Sequence, residues 1–355
     1  MRRLSAGTAV SISLLSAMLS IALPNDASAQ TVPGAAEAPV DATPTISTST
    51  EPPQDLDTVV ISGRYPGPGL WKVRSGEHTL WILGTQNPLP KRMEWDSANV
   101  ERKVAAAQEV LMPPALNMDA DVGFFGSLAL LPSLFKVRKN PDGKTLEDVV
   151  PASQYARWQV LKQRYIGSDQ GIEEWRPVFA ALELYDKAIT RSGMSQSPVV
   201  SDAVRKAAKR HKVRITTPTV KIKIANPKSA LREFSSETLN DQDCFRRTLD
   251  RIEGDLGTMA GRANAWAEGD VEALRSLPSQ NQFTACSEVF TGTALARRQG
   301  MNDMRSRLEN EWMAAAEKAL GENASTFAVL PVNQLLQPEG VLARLLAKGY
   351  TVEAP

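Results

Sequence analysis

Apolar and polar positions change rhythm along the chain, from strand-like to helical and back. The first clear element is Leu70-Trp-Lys-Val73; a polar turn at Ser75-Gly-Glu-His78 follows, then the apolar run Thr79-Leu-Trp-Ile-Leu83. Together they predict a hairpin whose second strand is buried on both faces. Between Glu94 and Gln108 apolar residues recur at helical spacing, Val100, Val104 and Ala107 among them, and Glu109-Val-Leu-Met112 reads as another strand. This is a β-loop-α-β unit, the kind of crossover that builds a parallel or mixed sheet with helices packed on it.

The stretch from Val122 to Leu134 is apolar and carries glycine, compatible with a helix or with a lid over a groove. From Glu147 to Met194 the text is helical, with a capping signal at Pro151-Ala-Ser and the run Pro177 to Ile189. A second crossover opens at Ser201-Asp202, with a helix over Ala203 to Lys209 and a strand over Val213 to Thr217. Ser235 to Gly321 is almost wholly helix-compatible. The last unit is a strand at Phe327 to Leu330, a turn, a helix from Gly340 to Lys348 and a terminal strand at Tyr350 to Val352. Thr79 to Asn87 and Thr326 to Gln334 superpose without a gap, so the two strand-turn segments share a layout.

The N-terminal region reads differently. Met1-Arg2-Arg3 is basic, Ala6 to Leu23 is apolar, and Ala27-Ser28-Ala29 supplies small residues at a cleavage position. Residues 1–29 are therefore expected to be a signal peptide, not a membrane anchor, and the protein periplasmic or secreted, with no transmembrane segment after cleavage. Residues 30–56, rich in Pro, Ala, Thr and Ser, form a flexible tether that cannot bury enough surface to fold. A domain over residues 57–355 follows. Its first segment, Asp57 to Gly63, reads as an edge strand or, alternatively, as a box that engages a TonB-like partner.

Composition narrows the partners. Of 355 residues, 42% are hydrophobic and 23% charged, and 41 Lys and Arg face 40 Asp and Glu. With that balance no long-range field favours nucleic acid or acidic lipid. Export gives meaning to the only two cysteines, Cys244 and Cys286, which in an oxidising compartment read as a disulfide; free thiols and a thiolate metal pair are the alternatives.

Two segments carry a family resemblance. They are Thr79-Leu-Trp-Ile-Leu-Gly-Thr-Gln-Asn87 with Leu89-Pro90 and Trp95, and Thr326-Phe-Ala-Val-Leu-Pro-Val-Asn-Gln334 with Leu335 and Gly340. With the ending Leu-Leu-Ala-Lys-Gly-Tyr-Thr-Val352, they resemble the TraB/GumN family from about Leu70 onward. The resemblance implies an α/β fold with a central mixed β-sheet flanked by helices and a helical middle and C-terminal section. It also implies a divalent metal held by two Gly-x-x-His motifs and acidic residues, and a hydrolase, most plainly a peptidase.

The residues depart from that implied site. Matching the first motif onto Gly84, Thr85, Gln86 and Asn87 puts an amide where the histidine belongs. In the second, Pro331 takes the glycine position, Asn333 lies inside the motif, and Gln334 takes the histidine position. The implied acids fall on Pro113 and near Thr216 or Thr217. Transition metals need imidazole, thiolate or carboxylate, and Ca²⁺ also wants carboxylates, so no cofactor is expected. His78, in the expected turn, and His211, in a Lys-Arg-His-Lys run, read as solvated. Glu109 and Glu339 lie near the right loops and read as surface charges.

Other catalytic signatures, a Gly-x-Ser-x-Gly elbow, a phosphate loop or a dinucleotide fingerprint, are missing from the sequence. Arg297, Arg298, Arg305 and Arg307 read as one Arg-rich helix, a solvated face or an anion pocket. Met301-Asn302 stands where relatives carry Arg-Asn. The expected function is binding of an envelope ligand, a peptide or a protein through the former cleft. Gly84, Thr85, Gln86, Asn87, Pro113, Asn333 and Gln334 would line it, with no catalytic residue among them. Alternatives are an active metal-dependent hydrolase, marked by bound metal, and a tethered structural protein of the envelope.

Overall fold

The computed structural model describes residues 67–120, 124–224, 226–254, 256–277 and 281–355. The expected signal peptide 1–29, the tether 30–56 and the Asp57 to Gly63 segment lie outside the described residues.

A six-stranded mixed sheet organises the fold. Its strands are β1 (Leu70–Ser75), β2 (His78–Thr85), β4 (Glu109–Leu111), β7 (Arg214–Thr216), β9 (Ser325–Pro331) and β10 (Thr351–Glu353), in the order β10-β1-β2-β9-β4-β7. The hairpin β1/β2 is antiparallel, with Trp71 opposite Ile82 and Val73 opposite Leu80. Strands β2, β9, β4 and β7 run parallel. The expected crossover from β2 to β4 is present, but β9, more than two hundred residues later in the chain, inserts between them. This is why β2 and β9 read as continuous apolar runs: Leu80, Ile82, Leu83, Phe327, Ala328 and Val329 are fully buried, as strands covered on both faces must be.

Helices cover the sheet. Ala98–Ala106, shorter than the expected Glu94 to Gln108, presents Val100 and Val104 to the core; Val199–Arg210 presents Val200, Val204, Ala207 and Ala208 at helical spacing. Met304–Glu322 packs on β1, β2, β4 and β9. The middle of the chain is helical as expected. Pro177–Arg191 packs on Gln242–Gly254, which packs in turn on Leu256–Glu268 and Asn281–Thr291. A Cys244–Cys286 disulfide, as expected, staples Gln242–Gly254 to Asn281–Thr291 across 42 positions.

Four further strands were not read from the sequence. β3 (Leu89–Pro90) pairs antiparallel with β6 (Met194–Ser195). β5 (Ala115–Ala120) pairs in parallel with β8 (Thr219–Ile224). Pro113-Pro114 and Pro218 separate β5 and β8 from the sheet strands β4 and β7 that precede them, because proline cannot donate to a continuing ladder. The apolar stretch after β5, compatible in sequence with a helix or a lid, is a helix, Phe124–Val137. Among the described residues no helix is long and apolar enough to cross a membrane.

Candidate functional site

Parallel strands bring the motif positions to one edge. β2 ends at Thr85, β9 at Pro331, β4 at Leu111 and β7 at Thr216, and these four strands are consecutive neighbours. Gln86 and Asn87, Val332 to Gln334, Pro113, and Thr216 with Thr217 therefore all stand at the carboxyl edge, where open α/β sheets bind ligands. The register pairs Gly84 with Leu330 and Thr85 with Pro331. The two motifs thus lie side by side, one residue out of step with the gapless superposition read from the sequence.

The first motif is braced from behind. The Gly84 carbonyl accepts a 2.6 Å hydrogen bond from Trp266 Nε1, and Trp266 meets Trp95 edge-on at 5.6 Å. Gln86 is buried and its Nε2 donates to the Asn87 carbonyl at 3.1 Å. A cis bond joins Asn87 to Pro88. Asn87 itself is exposed, and its Nδ2 donates to the Gln196 carbonyl at 2.9 Å. Just beyond, Lys91 donates through its backbone N–H to Gly193 and through Nζ to Thr190. The turn is thereby tied to the loop that follows Pro177–Arg191.

The second motif is a one-turn helix, Val332–Leu335, that buries Val332 and Leu335, leaves Gln334 half-buried and exposes Asn333. Gly340 closes it: a Cβ there would stand 2.3 Å from the Gln334 carbonyl oxygen. The two motifs touch, since a Cβ on Gly84 would come within 3.0 Å of Val332 Cγ2 and 2.9 Å of Trp71 Cζ3. Glycine at this position leaves room for the second motif to seat on the first.

Several sequence expectations need correction. His78 is not solvated in a turn; it opens β2, half-buried, with Nδ1 2.7 Å from the Leu320 carbonyl. That places it at the end of β2 remote from Asn87. His211 is exposed, as expected. Glu109 is not a surface charge. It is buried at the opening of β4 and accepts hydrogen bonds from Thr216, which closes β7 at the motif edge, from Arg214 Nη2 at 2.7 Å and from Asn323 Nδ2 at 2.9 Å. Burial alone would raise its pKa, but the bonds from Thr216, Arg214 and Asn323 outweigh burial and hold it below the usual glutamate value.

Glu339 is exposed. The four arginines do not share one helix. Arg297 and Arg298 end Ala294–Arg298, while Arg305 and Arg307 begin Met304–Glu322. Arg297 and Arg307 bond backbone carbonyls, Arg298 pairs with Glu233, and Arg305 reaches Gln337 at 2.8 Å. They form no common anion pocket. A hollow of about 380 Å³ between β8 and Met304–Glu322 is lined by Thr219, Val220, Lys221, Arg307, Asn310 and Glu311, and by no motif residue.

The motif edge does not fit a divalent metal. It offers neutral amides and hydroxyls, and among the described residues no three His, Cys, Asp or Glu side chains gather as a metal site would require. Its chemistry is hydrogen bonding, with amides that both donate and accept. Gln196 and Trp266 were not found from the sequence, because each is brought in from another part of the chain and no local signal marks it. Val332 lies inside the second motif, but its contact with Gly84 depends on strand pairing and was not legible.

No curated protein matches the chain, and no solved structure matches it. A family model described as the TraB/PrgY/gumN family matches residues 69–354, almost the whole described fold. The chain therefore belongs to the TraB/PrgY/gumN family.

Proposed function

We propose that this TraB/GumN-like chain is exported, no longer performs metal-dependent hydrolysis, and acts by binding an envelope ligand or peptide over the edge where β2 and β9 end. One observation supports this reading above others. The two motif turns emerge from adjacent parallel strands, as a two-motif site requires, yet they present Asn87 and Gln334 where metal ligands would stand. An edge lined by Asn87, Asn333 and Gln334 suits a peptide backbone or a hydroxyl-rich glycan, because each amide can donate and accept at once.

Calorimetric titration of the full chain with extended peptides and with envelope glycan fragments tests the reading. One of these classes is expected to bind, with affinity reduced about tenfold in the Asn87→Ala/Gln334→Ala double variant, the loss of two neutral hydrogen bonds. Unchanged affinity in a variant with native circular dichroism would contradict the assignment of the site.

A further inference from the structure

The helix Phe124–Val137 reads Phe-Phe-Gly-Ser-Leu-Ala-Leu-Leu-Pro-Ser-Leu-Phe-Lys-Val, with a single charge at Lys136. A helix apolar on every side belongs in a core or against lipid. Yet from Ala129 to Val137, where its side chains are described, none is buried. Phe135 is 64% exposed and Leu131 43% exposed. Leu131 and Phe135, four residues apart, stand on one side of the helix as a ridge. The helix packs on Pro227–Ser236, which itself buries no residue.

Positive charge flanks this apolar surface. Lys136 is exposed, as are Lys228 and Arg232, one turn apart on Pro227–Ser236. None of these three is held in an ion pair among the described residues, whereas Glu233, the acid on the same helix as Lys228 and Arg232, is taken by Arg298. The whole chain carries a net charge of only +1, so the excess is local. Fourteen helical residues span about 21 Å, short of the roughly 30 Å of a bilayer core. The helix is too short to cross a membrane but long enough to lie along one.

We propose that this face is a docking surface for an anionic lipid membrane. Leu131 and Phe135 enter the boundary between headgroups and acyl chains, and the neighbouring lysines and arginine meet lipid phosphates. Exposed aromatic and aliphatic side chains flanked by unpaired cations are what such a surface selects, with the apolar area and the charge each contributing to adsorption.

A probe at the site tests this independently of any other membrane-active part of the chain. The two native cysteines are joined to each other, so the full chain bearing Phe135→Cys can be labelled there with nitrobenzoxadiazole. A control carries the label at Val160→Cys, 68% exposed on the helix Ala152–Tyr165. Vesicles of phosphatidylglycerol with phosphatidylcholine should brighten and blue-shift the label at 135 but not at 160; phosphatidylcholine alone should not. High salt should reverse the change. Lys136→Glu with Arg232→Glu should weaken partitioning roughly tenfold or more. No change at 135, an equal change at 160, or a change that follows protein concentration without vesicles would overturn the proposal, the last by showing self-association instead.

Discussion

Gly84 shows how a single side chain, or its absence, joins the two halves of the site. It lies in a strand interior, where glycine is ordinarily a weakness, but Val332 and Trp71 fill the space a Cβ would need. Gly84→Ala is expected to destabilise the fold by about 1–3 kcal/mol through overpacking, a drop in denaturation midpoint that Val332→Ala should partly relieve by making room. Two independent, additive losses would show that the motifs do not press on one another. Glu109 offers a second test at this scale. Its carboxylate is held below the usual glutamate pKa, so its contribution is fully present above the unfolded value and is lost as pH falls through the folded one. Glu109→Ala should therefore cost about 1–3 kcal/mol near neutrality, and the gap in thermal midpoint from wild type should close below about pH 4. A gap that is constant with pH would remove ionisation from the explanation. None of this was legible beforehand. Glu109's partners Arg214 and Asn323 lie 105 and 214 residues away in sequence, and periodicity says nothing about contacts at that range.

Elements were more readable than their neighbours. The apolar runs at Thr79 to Leu83 and Phe327 to Leu330 mark buried strands because both faces of β2 and β9 are covered, and the spacing of Val200, Val204 and Ala207 marks a helix with one buried face. Strand β5 was missed because prolines precede it and Ala115 to Ala120 shows no clean alternation, whereas β8 alternates at period two, with Val220 and Ile222 buried and Lys221 and Lys223 exposed, a legible signal that was passed over. The lateral order was also hidden: nothing local says that β9 should separate β2 from β4. The disulfide was inferred from compartment alone, and the structure adds what it joins. Replacing Cys244 and Cys286 together by alanine is expected to lower stability by up to about 4 kcal/mol, the loop-closure value for a ring of this size. The loss should appear in chemical denaturation under oxidising conditions and vanish when wild type is measured in reductant. Equal stability in both conditions would mean the bridge constrains little.

At the scale of the molecule, family membership and sheet topology give the motif positions a common place, and residue chemistry decides what that place can do. Four neighbouring strand ends converge on one edge, an arrangement suited to a shared metal, while the side chains there are amides, a proline and threonines. The motif segments were recognisable because they are contiguous in sequence; the edge they form was not, because it depends on pairing between chain ends. On the function proposed above, this family member keeps the scaffold of a metal site without its ligands. The most direct measurement is elemental analysis by plasma mass spectrometry of protein purified without chelator or histidine tag and re-equilibrated with Mn²⁺, Co²⁺ and Zn²⁺. Metal well below one ion per chain, in a protein that stays folded and matches its Asn87→Ala/Gln334→Ala variant, is the expected result. Near-stoichiometric metal that falls away in that variant would contradict it.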